Sequence, residues 1–123
     1  MKVAIIGSRS ITVSDINKYI PENATEIVSG GAKGIDQDAK RYAVEKSIPY
    51  KEYNPNYRLY GKGAPLKRNI EIIDYADRVI ALWDGKSRGT HHVIQVCLQK
   101  GVPIDVWVAD KEGNIVKKHP EVT

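Results

Sequence analysis

Three short polar segments, each built around glycine, carry the residues of this sequence best suited to chemistry. In Gly7-Ser8-Arg9-Ser10, Gly7 permits a sharp turn, and Ser8 offers a hydroxyl and free backbone N–H groups. Arg9 brings a guanidinium that can pair bidentately with a phosphate. Taken alone, this segment is equally well read as a plain turn with a surface arginine. In Ser29-Gly30-Gly31-Ala32-Lys33-Gly34-Ile35-Asp36 the glycines let a backbone approach a ligand closely, and Gly34 opens a following helix. Exposed N–H groups and the helix dipole there make an anion site. The spacing fits neither the dinucleotide G-x-G-x-x-G pattern nor the P-loop, whose closing Gly-Lys-Ser/Thr is missing. Asp36 keeps two readings open: a charge at a helix N-terminus, or an acceptor for a ribose hydroxyl. The third segment, Asp84-Gly85-Lys86-Ser87-Arg88-Gly89-Thr90, repeats the theme. Ser87, Thr90 and the first helical N–H groups face Gly7–Arg9 across a crevice, and Asp84 is the other candidate for ribose.

Other reactive side chains point to little further chemistry. His91 and His92 are adjacent, so on a helix they diverge by roughly 100° and cannot chelate as an i, i+4 pair would. No metal is expected. The single cysteine, Cys97, excludes an intramolecular disulfide and any cysteine cluster, and reads as a small buried helix residue. Trp83 can border a ligand and stack on a base, or cap the core; core is the preferred reading.

The elements that must position these segments alternate with little room between them. Val3–Ile6 and Arg78–Trp83 are continuous apolar runs, as strands covered on both faces are. Glu26–Ser29, Pro49–Tyr53 and Val102–Val108 supply three more strands. A short helix capped by Ser14 or Asp15 runs to Ile20 and stops at Pro21. Longer helices are expected over Gly34–Lys46, Leu66–Tyr75 (Leu66, Ile70 and Ile73 on one side) and Thr90–Gln99, the last ended by Gly101. Asp110–Gly113 resembles a turn, and Asn114–Lys117 an antiparallel addition at the edge. Asn54–Pro65 is a long connection without a clear element, rich in Tyr57, Arg58, Tyr60 and Lys62. Such rhythm predicts one three-layer, Rossmann-like α/β domain with a mostly parallel five-stranded sheet in order 3-2-1-4-5. Ligands in such folds sit beyond the carboxyl ends of the strands at the switch point, here between strands 1 and 4. All three glycine segments fall there.

These residues, taken in order, resemble the SLOG superfamily, Rossmann-like domains that include the DNA-processing protein DprA, the LOG phosphoribohydrolases and the small YspA-like proteins. The resemblance rests on Gly7-Ser8-Arg9, Ser29–Asp36, Arg68-Asn69 and Ser87-Arg88-Gly89-Thr90, over roughly residues 3–106. Tyr60-Gly61-Lys62-Gly63-Ala64-Pro65, with Arg68-Asn69 and the short length, is closest to the YspA-like branch. The resemblance implies binding of nucleotides, nucleotide-derived signals or, as in DprA, single-stranded DNA. It also implies that Arg68 points into the crevice, with Asn69 beside it. LOG enzymes carry a catalytic glutamate two residues after the threonine of their glycine loop; His92 stands at that position here.

The expected function is therefore recognition of a phosphate- and ribose-bearing nucleotide by a sensor or binding module. An N-glycosidic hydrolase using His92 is the alternative, and single-stranded DNA binding a second. No cofactor is implied. With 123 residues, 41% apolar and 28% charged, the chain has an ordinary soluble composition, and its net charge of +4 suits anionic ligands without marking a nucleic-acid binder. No apolar run approaches the roughly 18 residues of a membrane span. A cytoplasmic location and a homodimer or larger homo-oligomer complete the expectations.

Overall fold

The computed structural model describes residues 1–122. One six-stranded sheet runs through the chain in the order β3-β2-β1-β4-β5-β6. Its strands are β1 (Lys2–Gly7), β2 (Glu26–Ser29), β3 (Tyr50–Glu52), β4 (Arg78–Trp83), β5 (Ile104–Ala109) and β6 (Ile115–Lys118). The first five are parallel in the expected order, and β6 pairs antiparallel with β5 as the edge strand. The helices are α1 (Ile35–Glu45), α2 (Tyr57–Tyr60), α3 (Ala64–Tyr75) and α4 (Arg88–Lys100), with 3₁₀ turns at Ile16–Tyr19, Gly61–Gly63 and Pro120–Val122. No helix among the described residues is long and apolar enough to cross a membrane.

Alternation along the two central strands explains the layers. Val3 and Ile5 of β1 join Ile80 and Leu82 of β4 in a core against Ile35, Ala39 and Ala43 of α1 and Ile16 of the first 3₁₀ turn. The intervening Ala4, Ile6, Val79, Ala81 and Trp83 face the other way, onto Ile72 and Ile73 of α3 and Val93, Ile94 and Cys97 of α4. Since successive strand side chains point to opposite faces, an unbroken apolar run is what two helical layers require. Cys97 and Trp83 are both buried in this second core.

The Asn54–Pro65 connection departs from the sequence reading. It is not irregular: Tyr57–Tyr60 turns helically and Gly61–Gly63 continues into α3, which starts at Ala64. The Asn56 side chain caps α2, accepting from the Leu59 N–H at 3.1 Å. None of the α2 residues is buried, so no apolar stripe announced the helix. Within α3, Ile72 and Ile73 are buried while Leu66 is 46% exposed, so Leu66 does not lie on the core side with Ile73. β3 spans three residues, Tyr50–Glu52, rather than the expected five, and is the edge strand of the sheet on that side.

Candidate functional site

The carboxyl ends of β1, β2 and β4 open onto a crevice of about 430 Å³. Gly7–Ser10 forms one wall, Asp84, Ser87, Gly89 and Thr90 the opposite one, and Gly30, Ala32 and Asp36 the floor side; α3 contributes Pro65, Leu66, Arg68 and Asn69. That volume lies within the range of small-ligand sites.

The β1 and β4 loops are held together by one polar network. Ser8, 2% exposed, accepts from the Asp84 N–H at 3.0 Å, and its hydroxyl lies 2.9 Å from that of Ser87. Asp84 Oδ1 accepts from the Lys86 and Ser87 N–H groups, both at 2.8 Å, while Oδ2 accepts from the Ser10 hydroxyl at 2.8 Å. Burial raises the Asp84 pKa, but those donors outweigh it and hold the carboxyl below its ordinary value. These bonds make Asp84 the organiser of the β4–α4 loop, and the residue also lines the crevice. Trp83 completes the support, its indole N–H donating to the Ser87 carbonyl at 2.9 Å. The first intrahelical bond of α4 starts at the His91 N–H, so the N–H groups of Gly89 and Thr90 at the crevice wall have no partner within the helix.

Across the crevice, Arg68 is half-buried and engaged. Its Nη1 donates to the Gly30 carbonyl at 2.7 Å and the Tyr53 carbonyl at 3.3 Å, and its Nε to Asn69 Oδ1 at 2.9 Å. It thus ties together the ends of β2 and β3 while lining the crevice. A Cβ on Gly30 would stand 2.6 Å from that Nη1, so this glycine makes room for an arginine. Arg9 is exposed, and no hydrogen bond or ion pair engages its guanidinium.

Asp36, 6% exposed, stands between these arginines and in the wall of a second cavity bounded by Gly31, Tyr50 and Glu52. Its Oδ2 accepts from the Ala32 N–H at 3.1 Å, while Oδ1 is buried without a partner. Burial pushes its pKa up to about 6, against the lowering effect of the Ala32 and Gly30 N–H groups and of the Arg68 and Arg9 charges.

Several residues named from the sequence do not reach the crevice wall. Ser29 is fully buried, its hydroxyl bonded to the Tyr50 phenol. Gly34, at φ 76°, lets the chain pass the β1 loop, where a Cβ would meet the Ile11 carbonyl at 2.6 Å. Gly31 faces the second cavity, and Lys33 and Arg88 are exposed outside the wall. His92 also stays off the wall, its Nδ1 buried without a partner, while His91 lies beside Trp83 with ring centroids 5.5 Å apart. The structure adds Ile6, Ser10, Ala32, Pro65 and Leu66 to the lining. Sequence reasoning also missed Asp38, 3% exposed, which accepts from the Thr12 hydroxyl, the Val13 N–H and Arg41 and so fixes the β1 loop to α1. Its place in the first turn of a helix, three residues before Arg41, was the available signal.

Residues 1–50 match the family described as DNA recombination-mediator protein A. The match takes in β1, β2, α1 and the glycine loops after both strands, and it supports the superfamily resemblance carried by those loops. No curated protein matches the chain.

Proposed function

We propose that the crevice binds a nucleotide, its phosphate against the start of α4 and its sugar towards Asp36. The observation that carries this reading is the set of anion donors gathered where the β1 loop meets the start of α4. The remaining proton of the Ser8–Ser87 hydroxyl pair, the N–H groups of Gly89 and Thr90, and the guanidinium of Arg9 stand at one end. Such an arrangement favours a compact anion, because the donors are already oriented and the helix dipole adds to them. The apolar Pro65 and Leu66 offer a surface for a base. Within the superfamily, the Tyr60–Asn69 stretch keeps the YspA-like branch as the preferred placement. A binding or sensing role fits better than hydrolysis, since His92 lies off the wall.

A thermal-shift screen of nucleotides tests this. A ligand of the site stabilises by RT ln(1 + [L]/Kd), and Arg9→Ala removes that gain without lowering the melting temperature of the free protein. No shift across the panel contradicts the reading.

A second reading, contact with single-stranded nucleic acid, is favoured by a different surface. Tyr57, Leu59 and Tyr60 of α2 are exposed beside Arg58, Lys62 and Lys67, and Lys67 lies 5.8 Å over the Tyr60 ring. Aromatic residues interleaved with basic ones stack bases and follow a backbone. Oligonucleotide binding that survives physiological salt and is lost in Tyr57→Ala/Tyr60→Ala supports it; binding that vanishes as salt rises leaves only non-specific attraction.

A further inference from the structure

The α2–α3 side of the crevice carries an inference that rests on the nucleotide reading and deepens it. Among the described residues, four of the seven large hydrophobic side chains most open to solvent are Tyr57, Leu59, Tyr60 and Leu66, all within one short stretch of chain. Apolar surface left to water costs free energy, and an apolar patch rimmed by polar groups marks a place that a ligand covers. Leu66 connects this patch to the crevice. It is 46% exposed and, with Pro65, forms part of the crevice wall.

The two tyrosines of α2 differ in what engages them. The Tyr60 ring lies under the Lys67 ammonium at 5.8 Å. Tyr57 is 58% exposed, and no hydrogen bond, ring contact or cation engages it. It is nevertheless held in place, because Asn56 caps the turn through the Leu59 N–H and α2 packs against the start of α3. Burial lowers the Arg68 pKa, while Asp36 and then the Tyr57 phenol act against that shift. The phenol therefore stands near the guanidinium that lines the crevice.

We propose that Leu66 and Tyr57 form the base subsite of the crevice, with the Tyr57 ring stacking on the base, so that the site takes purine nucleotides over pyrimidine nucleotides. The anion donors at the start of α4 and the apolar Leu66 bound one cavity from different elements. A ligand with a charged end and a flat, weakly polar end satisfies both, and a nucleotide is such a ligand. Its base can cover Leu66 with one face and stack on an aromatic ring with its π-system. Stacking grows with the area of the ring system, and a purine brings two fused rings where a pyrimidine brings one.

Calorimetry of adenosine, guanosine, cytidine and uridine 5′-monophosphates beside ribose 5-phosphate, at one pH and salt concentration, tests this. Phosphate and ribose are common to the set, so the affinity ratios isolate the base. The expected order is purine, then pyrimidine, then ribose 5-phosphate, with roughly tenfold or more between first and last, the scale of one base stacked on an aromatic ring. Tyr57→Ala should erase most of that ratio by weakening the purine forms alone, and Leu66→Ala should shrink it in the same sense. Tyr57→Phe keeps the ring and should keep the order. No residue of α2 is buried, so both Tyr57 variants should melt as the wild type does. Ribose 5-phosphate bound as tightly as the purine forms, or pyrimidines bound as tightly as purines, overturns the inference and leaves the nucleotide reading standing. So does a ratio that Tyr57→Ala or Leu66→Ala leaves whole, or that Tyr57→Phe abolishes. Absence of binding by every nucleotide overturns both.

Discussion

Arg68 and Arg9 illustrate how two arginines on one crevice differ in what they do. Arg68 donates to the Gly30 and Tyr53 carbonyls and to Asn69, so Arg68→Ala strips partly buried acceptors of their partner and should cost about 1–3 kcal/mol in urea unfolding. No hydrogen bond or ion pair engages Arg9, and Arg9→Ala should leave unfolding unchanged within about 0.5 kcal/mol. Gly30→Ala should mimic the loss of Arg68, since the new methyl would displace its guanidinium. Asp36 adds a pH dependence of defined sign. Its folded pKa is raised from 3.8 to about 6, so the folded state binds the proton more tightly. The stability this contributes is complete below about pH 4 and is lost as pH rises through 6. Asp36→Asn should accordingly be more stable than wild type at pH 7.5, by up to about 3 kcal/mol, with the difference gone near pH 4. A variant equally destabilised at both pH values would mean that the carboxyl supports the fold through contacts other than the one to Ala32.

Among the elements, the loop between β4 and α4 takes three of its hydrogen bonds from the Asp84 carboxylate. Asp84→Ala releases the Ser10 hydroxyl and two backbone N–H groups, and should cost about 1–2 kcal/mol. Amide exchange should then quicken in the first turn of α4 while the β1–β4 ladder stays protected. β1, β4 and α1 were legible in the sequence because burial writes itself as period: unbroken apolar strands, and Ile35, Ala39 and Ala43 at helical spacing. The order of the five parallel strands followed from their alternation with helices. α2 was not legible, since Tyr57–Tyr60 buries nothing and its local signal was the capping Asn56 alone. The glycine loops named the crevice, but their inner division of labour depends on contacts remote in sequence. Gly30 and Arg68 are separated by 38 residues, and Ser8 and Ser87 by 79; no local pattern encodes either contact. For the same reason the different settings of Asp36, buried beside the Ala32 N–H, and Asp84, bonded within its own loop, were not legible in the sequence.

At the scale of the whole molecule, the two cores lie on opposite faces of one sheet and share its central strands. Neither helical layer has a sheet of its own, so thermal and denaturant unfolding should each follow one cooperative transition, coincident by fluorescence and circular dichroism. A nucleotide bound between the β1 and β4 loops would bridge the edges of both layers, raising that single transition rather than splitting it. The central claim, that this crevice is the nucleotide site, is tested most directly by following backbone amide resonances during titration with a ribonucleoside 5′-monophosphate. The predicted result is saturable change at Ser8, Arg9, Ala32, Ser87, Gly89 and Thr90, absent in Arg9→Ala. Changes confined to Tyr57–Tyr60, or none at saturating nucleotide, would contradict it.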